Sequence, residues 1–146
     1  MLTGETLMLG AQDDAQASLK LYRCEDGSDL NLRSGVLMVR FENASILLTA
    51  DLSGEGQNWF LEHYDMAELR ADILKAPHHA LTIMVKEFLD DIDPALVIFT
   101  NSKSNSQAAA AQINAREKEL LYVGDGTIAL ETDGVDWYVT QEEGWH

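Results

Sequence analysis

Apolar and polar positions change their period partway along the chain. Thr6 to Leu9, Ser18 to Arg23, Val36 to Glu42 and Ser45 to Thr49 read as strands, the last two joined at the turn-prone Asn43. From Gly54 onward Trp59, Phe60, His63 and Met66 or Ala67 recur every three to four residues, which is helical spacing. The pattern then alternates. Ala71 to Lys75, Ala95 to Thr100 and Leu120 to Val123 are short apolar strands, separated by helices over Leu81 to Asp90 and Ser104 to Arg116. Strand and helix in turn predict a layered α/β arrangement with helices lying on a sheet. Asp125-Gly126 and Asp133-Gly134 mark turns into Thr127 to Glu131 and Val135 to Thr140, so a β-hairpin is expected at the C-terminal end. No stretch reads as a linker or an internal repeat, and one unit over residues 1–146 is the expected organisation.

Composition narrows the function. The chain has 146 residues, 46% of them hydrophobic, enough to bury a core. It carries 25 Asp and Glu against 10 Lys and Arg, a net charge of −15, whereas a nucleic-acid binder needs a basic face to release counterions. No apolar run approaches the roughly 20 residues that span a bilayer, and Met1 to Gln16 lacks a cationic segment followed by an apolar one. Cys24 is the sole cysteine and can form no internal disulfide, which suits a cytoplasmic setting.

Few residues can carry difficult chemistry. The histidines are His63, His78, His79 and His146. Asp51 follows the strand Ser45 to Thr49, and Pro77-His78-His79 follows the strand Ala71 to Lys75. Ends of neighbouring strands share one rim of a sheet, so Asp51 and His78 or His79 are candidate ligands of one metal. Catalytic zinc takes three protein ligands and a water, and this set supplies two or at most three. Plainer readings compete. Asp51 can cap the helix that follows, the histidine pair can be a partly buried turn, His63 reads as an ordinary helix-face residue, and His146 reads as a mobile end. No other constellation assigns a catalytic or cofactor-binding residue. Gly124-Asp125-Gly126 leads into a strand and not a helix, and no serine sits between two glycines in a nucleophile elbow. Cys24 has no neighbouring histidine, and Asp13-Asp14, Asp90-Asp91 and Glu142-Glu143 read as solvated pairs.

The run from Asn31 through Ser34 to Phe41, then Ile46 to Asp51, then Leu69 to His79 and Asp93 to Ile98, resembles the C-terminal half of the metallo-β-lactamase-like domain of ComEC-type competence proteins and related metal-dependent hydrolases. In that family an Asn and a Ser precede a long strand, an apolar strand ends in Thr-Gly-Asp, and a further strand leads into Lys-x-Pro-His-His-Gly-Ser. The resemblance covers most of the chain from about Thr6 to Tyr138. It implies half of an αββα sandwich, with a mixed sheet, helices on one face and a C-terminal β-hairpin. It matches Asp51 to the metal-bridging aspartate and His78 or His79 to the late metal-ligand histidine.

The chain departs from the family pattern at the same places. Ala50 stands where the family has Gly, Ala80-Leu81 where it has Gly-Ser, and Asn101 to Ser106 contains no histidine. The His-x-His-x-Asp-His motif of the family's first half is not in this chain. A two-metal centre needs a dense ligand set, so the expected function is that of a catalytically degenerate half domain acting through assembly. The alternative is a metal-dependent, phosphodiesterase-like hydrolase whose site, holding zinc or manganese, is completed by a second chain. Nearly continuous apolar strands such as Gly35 to Phe41 and Ser45 to Thr49 need cover on both faces. The expected cover is a second copy of the chain, a separately encoded N-terminal half, or a modified local arrangement, with no nucleic-acid or membrane partner.

Overall fold

The computed structural model describes residues 4–9, 16–25 and 29–143. Seven strands form one mixed sheet in sequential order: β1 (Thr6–Leu9), β2 (Ala17–Tyr22), β3 (Val36–Phe41), β4 (Ala44–Leu48), β5 (Ile73–Lys75), β6 (Leu96–Phe99) and β7 (Glu119–Tyr122). β1 to β4 are an antiparallel meander, and β4 to β7 run parallel. Three helices make the parallel crossovers: α1 (Gly54–His63), α2 (Lys86–Ile92) and α3 (Gln107–Asn114). The chain then forms the expected hairpin, β8 (Gly126–Thr132) with β9 (Trp137–Glu143).

Strand alternation sorts the side chains into two faces. Val36, Met38, Leu47, Leu74, Val97 and Phe99 point to the helices, where Leu52, Phe60, Phe88, Leu89, Ile92 and Ile113 complete the main core. All three helices therefore lie on one face. On the opposite face the register aligns two rows across the sheet. One is Leu7, Leu19, Val39, Ile46, Ile73, Leu96 and Glu119, and the other is Leu21, Leu37, Leu48, Lys75, Ile98 and Leu121. Lys75 and Glu119 are the charged members of these rows, both outside β1 to β4.

The β8–β9 hairpin covers one end of this second face. Ile128, Leu130 and Trp137 pack on Ile73, Leu96, Ile98, Ile46 and Leu121 as a separate apolar cluster. Polar contacts pin the hairpin at both ends. Gln141 Nε2 donates to the Tyr122 carbonyl at 2.7 Å, and the Asn43 amide donates to the Gly134 carbonyl at 2.9 Å. Of the covers expected from the sequence, this is the modified local arrangement. It stops at β4. Leu7, Leu9, Leu19, Leu21, Leu37, Val39 and Leu48 belong to neither packed cluster, and Leu7 and Leu9 are 51% and 47% exposed.

Two elements differ from their sequence reading. The helix expected over Leu81 to Asp90 begins only at Lys86. The amides just before it are taken by two glutamines, because Gln112 Oε1 accepts from the Met84 amide at 3.0 Å and the buried Gln57 accepts from the Val85 amide at 2.8 Å. The helix expected over Ser104 to Arg116 is split, with a 3₁₀ turn at Lys103–Asn105 before α3. No helix among the described residues is long and apolar enough to cross a membrane.

Candidate functional site

Because β4, β5 and β6 are parallel, their C-terminal ends open on one rim, the usual place for chemistry in such sheets. After β4, the buried Thr49 donates its hydroxyl to the Lys75 carbonyl at 2.6 Å, and the turn closes with the Leu52 amide on the Thr49 carbonyl at 3.1 Å. Ala50 in that turn has φ 45°. After β5, the 3₁₀ turn Pro77–Ala80 contains three successive left-handed residues, His78 (φ 47°), His79 (φ 54°) and Ala80 (φ 57°). A left-handed conformation costs a non-glycine residue about 1–2 kcal/mol. Such strain persists only where the surroundings impose it, and it gathers at working sites. Here the two turns hold each other. The Ala50 carbonyl accepts both the His78 amide at 3.0 Å and the Lys75 ammonium at 2.8 Å.

His79 is the centre of the side-chain arrangement. Its Nε2 lies 3.3 Å from Asp51 Oδ1, and its Nδ1 lies 2.9 Å from Thr100 Oγ1 at the end of β6. Asp51 and His79 are both close to half exposed. With Nε2–H turned to the carboxylate, Nδ1 is the acceptor for the Thr100 hydroxyl, so one tautomer satisfies all three groups. His78 takes a different role, half-buried and tied through its backbone. Lys75 sits beside this group on the sheet face. Burial lowers the pKa of its ammonium, and the Asp51 carboxylate partly offsets that effect.

The structure thus brings Asp51 and His79 together and leaves His78 out of the pair. The helix cap is corrected. Ser53 is the N-cap of α1, its Oγ accepting from the Gly56 amide at 3.2 Å, so Asp51 is not needed there and faces the rim. The sequence reading missed Thr100 and Lys75 as rim residues. Thr100 was legible only as the first polar residue after an uninterrupted apolar strand.

These donors are too few for a catalytic metal. Asp51 and His79 supply one oxygen and one nitrogen, and among the described residues no group of three His, Cys, Asp or Glu side chains is placed to hold an ion. That falls short of the three protein ligands of a catalytic zinc.

The remaining candidates take structural roles. His63 is an exposed helix-face residue whose ring stacks on Trp59 with centroids 4.0 Å apart. Cys24 is fully buried, its Sγ 3.8 Å from the Gly56 carbonyl. Asp90 takes both Arg116 and Lys86 as ion-pair partners. The polar loop after β6 satisfies itself. Asn101 Oδ1 accepts from the Ser102 amide, Ser102 and Ser104 hydroxyls meet at 3.0 Å, and Lys103 pairs with Asp125 at 2.6 Å. His146 and the Asp13-Asp14 pair lie outside the described residues. No family model matches the chain, and no curated protein matches it either.

Proposed function

We propose that this chain is a metallo-β-lactamase-like half domain with a degenerate metal centre, and that it acts by assembly, its bare sheet face docking on another chain in a reducing cytoplasm. The observation that carries this reading is the contiguous apolar surface on β1 to β4. Leu7, Leu19 and Val39 lie in one register row and Leu21, Leu37 and Leu48 in the next; none of them packs in the β8–β9 hairpin cluster, Leu7 is exposed and the other five are partly exposed. Contiguous apolar patches of this kind mark interaction surfaces. Two further features support the family reading. Asp51 and His79 meet at the strand-end rim, and the positions where the family pattern has glycine, Ala50 and Ala80, adopt φ of 45° and 57°. These are conformations glycine takes without strain.

Sedimentation velocity over a concentration series, with an apolar-surface dye alongside, tests assembly. Wild-type chain is expected either to associate or to bind the dye, and Leu19→Gln/Val39→Thr to weaken both while keeping its far-ultraviolet spectrum. A stable monomer that binds no dye removes the basis of the reading.

The exposed, solvent-facing Asp51–His79 pair favours one second reading, a metal-dependent hydrolase completed by another chain's ligands. Elemental analysis of chelator-free protein, with zinc and manganese titrated at micromolar concentration, decides it. Uptake that is lost in Asp51→Ala and His79→Ala supports the hydrolase, and no uptake in the assembled state ends it.

A further inference from the structure

We infer that the occupant of the bare face is a different chain, one that presents an apolar sheet face rimmed by lysine and arginine, and not a second copy of this one. The inference rests on the assembly reading above and adds the chemistry of the partner.

Charge around the face carries the argument. The rows over β1 to β4 are uncharged. The elements that border them are acidic. The hairpin segment 126–143 holds Glu131, Asp133, Asp136, Glu142 and Glu143 with no Lys or Arg. Glu25 and Asp29 lie between β2 and β3 together with Arg23 and Arg33, Glu42 stands in the β3–β4 turn, and Asp51 follows β4, so acids outnumber cations along this border as well. The cations are mostly engaged elsewhere. Lys20 and Arg40 belong to the helix-side rows of the sheet and bind Glu68 and the carbonyls of Glu68 and Arg70. Arg70 and Lys118 pair with Asp93, and Lys86 and Arg116 with Asp90. Lys75, the cation on the face itself, donates to the Ala50 carbonyl at its edge.

Distance sets how far salt controls this. Packed sheets stand about 10 Å apart, a little over the Debye length of about 8 Å at physiological ionic strength. Rim charges on two stacked sheets are therefore partly screened there and feel each other most strongly at low salt. A second copy would set an acidic rim against an acidic rim, at a like-charge cost that opposes the apolar gain. A basic rim turns the same geometry into attraction and faster encounter.

The test uses fluorescent strand-length peptides of alternating leucine and lysine, leucine and glutamate, and serine and lysine. Each is titrated by anisotropy against the full chain, with sedimentation in the same buffers. The leucine–lysine peptide is expected to bind about ten-fold or more tighter than either of the others, with the margin over leucine–glutamate shrinking as salt rises. Leu19→Gln/Val39→Thr, which leaves the charge unchanged, is expected to lose that margin. Leu7→Gln at the exposed edge strand serves if the double variant fails to fold. Equal binding of serine–lysine, or binding indifferent to the face substitutions, reduces the effect to bulk charge and overturns the inference. A homodimer that the same substitutions dissolve overturns the basic partner and leaves the assembly reading standing. A chain that neither self-associates nor distinguishes the peptides, and binds no dye, brings both down.

Discussion

The Trp137 indole donates to Asp72 Oδ2 at 3.2 Å, joining the hairpin to the mouth of β5 through an oxygen that also accepts the Ser45 amide at 2.7 Å and the Ser45 hydroxyl at 3.1 Å. One carboxylate oxygen thus ties the β4 start, the β5 start and the hairpin together. Trp137→Phe keeps most of the apolar contact and removes the donor, so it is expected to lower unfolding free energy by about 1 kcal/mol. Asp72→Ala strands the amide of the buried Ser45 as well and is expected to cost about 2–3 kcal/mol. Urea denaturation of both variants checks the order, and an Asp72→Ala no worse than Trp137→Phe would refute the shared-acceptor role.

Gly134 has φ 95°, and a Cβ there would lie 2.7 Å from Glu42 Cγ and 3.3 Å from the Phe41 ring. Its neighbour Asp133 accepts the Asp136 amide and then the Val135 amide, which hold that carboxyl below the usual carboxylate range. Gly134→Ala therefore forces both a strained φ and a displaced Glu42, and is expected to destabilise by about 1–3 kcal/mol. Hydrogen exchange is expected to rise first in β8 and β9. Uniform protection across the hairpin in the variant contradicts this.

At the rim the sign reverses. Ala80→Gly and Ala50→Gly relieve left-handed backbone at φ 57° and 45°, and each is expected to stabilise by up to about 1 kcal/mol after the larger chain entropy of glycine is subtracted. Thermal melts of the two variants measure it. A loss of stability at both positions shows that the methyl groups, buried at Ala80, matter more than the strain.

Asp93 receives Lys118 at 2.6 Å and Arg70 at 2.8 Å, and these partners, Lys118 foremost, hold its pKa below the ordinary 3.8. Asp90 is lowered in the same way, by Arg116 and then Lys86. A carboxyl whose folded pKa lies below its unfolded one stabilises the fold above the unfolded value and loses that contribution as pH falls through the folded one. Melting temperature is therefore expected to drop as pH is taken below about 4. Asp93→Asn is expected to flatten that slope and lower stability at neutral pH. An unchanged slope in the variant would place the acid sensitivity elsewhere.

Much of the layout was readable in the chain. The apolar runs at Val36 to Glu42, Ser45 to Thr49 and Ala95 to Thr100 became β3, β4 and β6 within a residue or two, because uninterrupted apolar residues can be satisfied only by burial. Asp133-Gly134 became the hairpin turn for a local reason, a glycine at positive φ beside an aspartate that accepts nearby amides. Helix α2 was misplaced because its start depends on Gln57 and Gln112, whose amides reach across from other helices. No local window contains that information.

The candidate site divides in the same way. Chain order alone marked Asp51 and the His78-His79 pair, since both follow apolar strands that must end at a common rim. Which histidine turns to Asp51 was settled by three consecutive left-handed residues after Pro77, and Thr100 joined them only because β6 lies next to β5. The cover on the second face is likewise a matter of packing. Nearly continuous apolar runs in the sequence determined that strands such as β3 and β4 carry two apolar faces. Only the tertiary structure decided that the hairpin shields β5 to β7 and stops at β4, because that outcome depends on where Trp137, Gly134 and Gln141 find Asp72, Asn43 and Tyr122, partners far away along the chain.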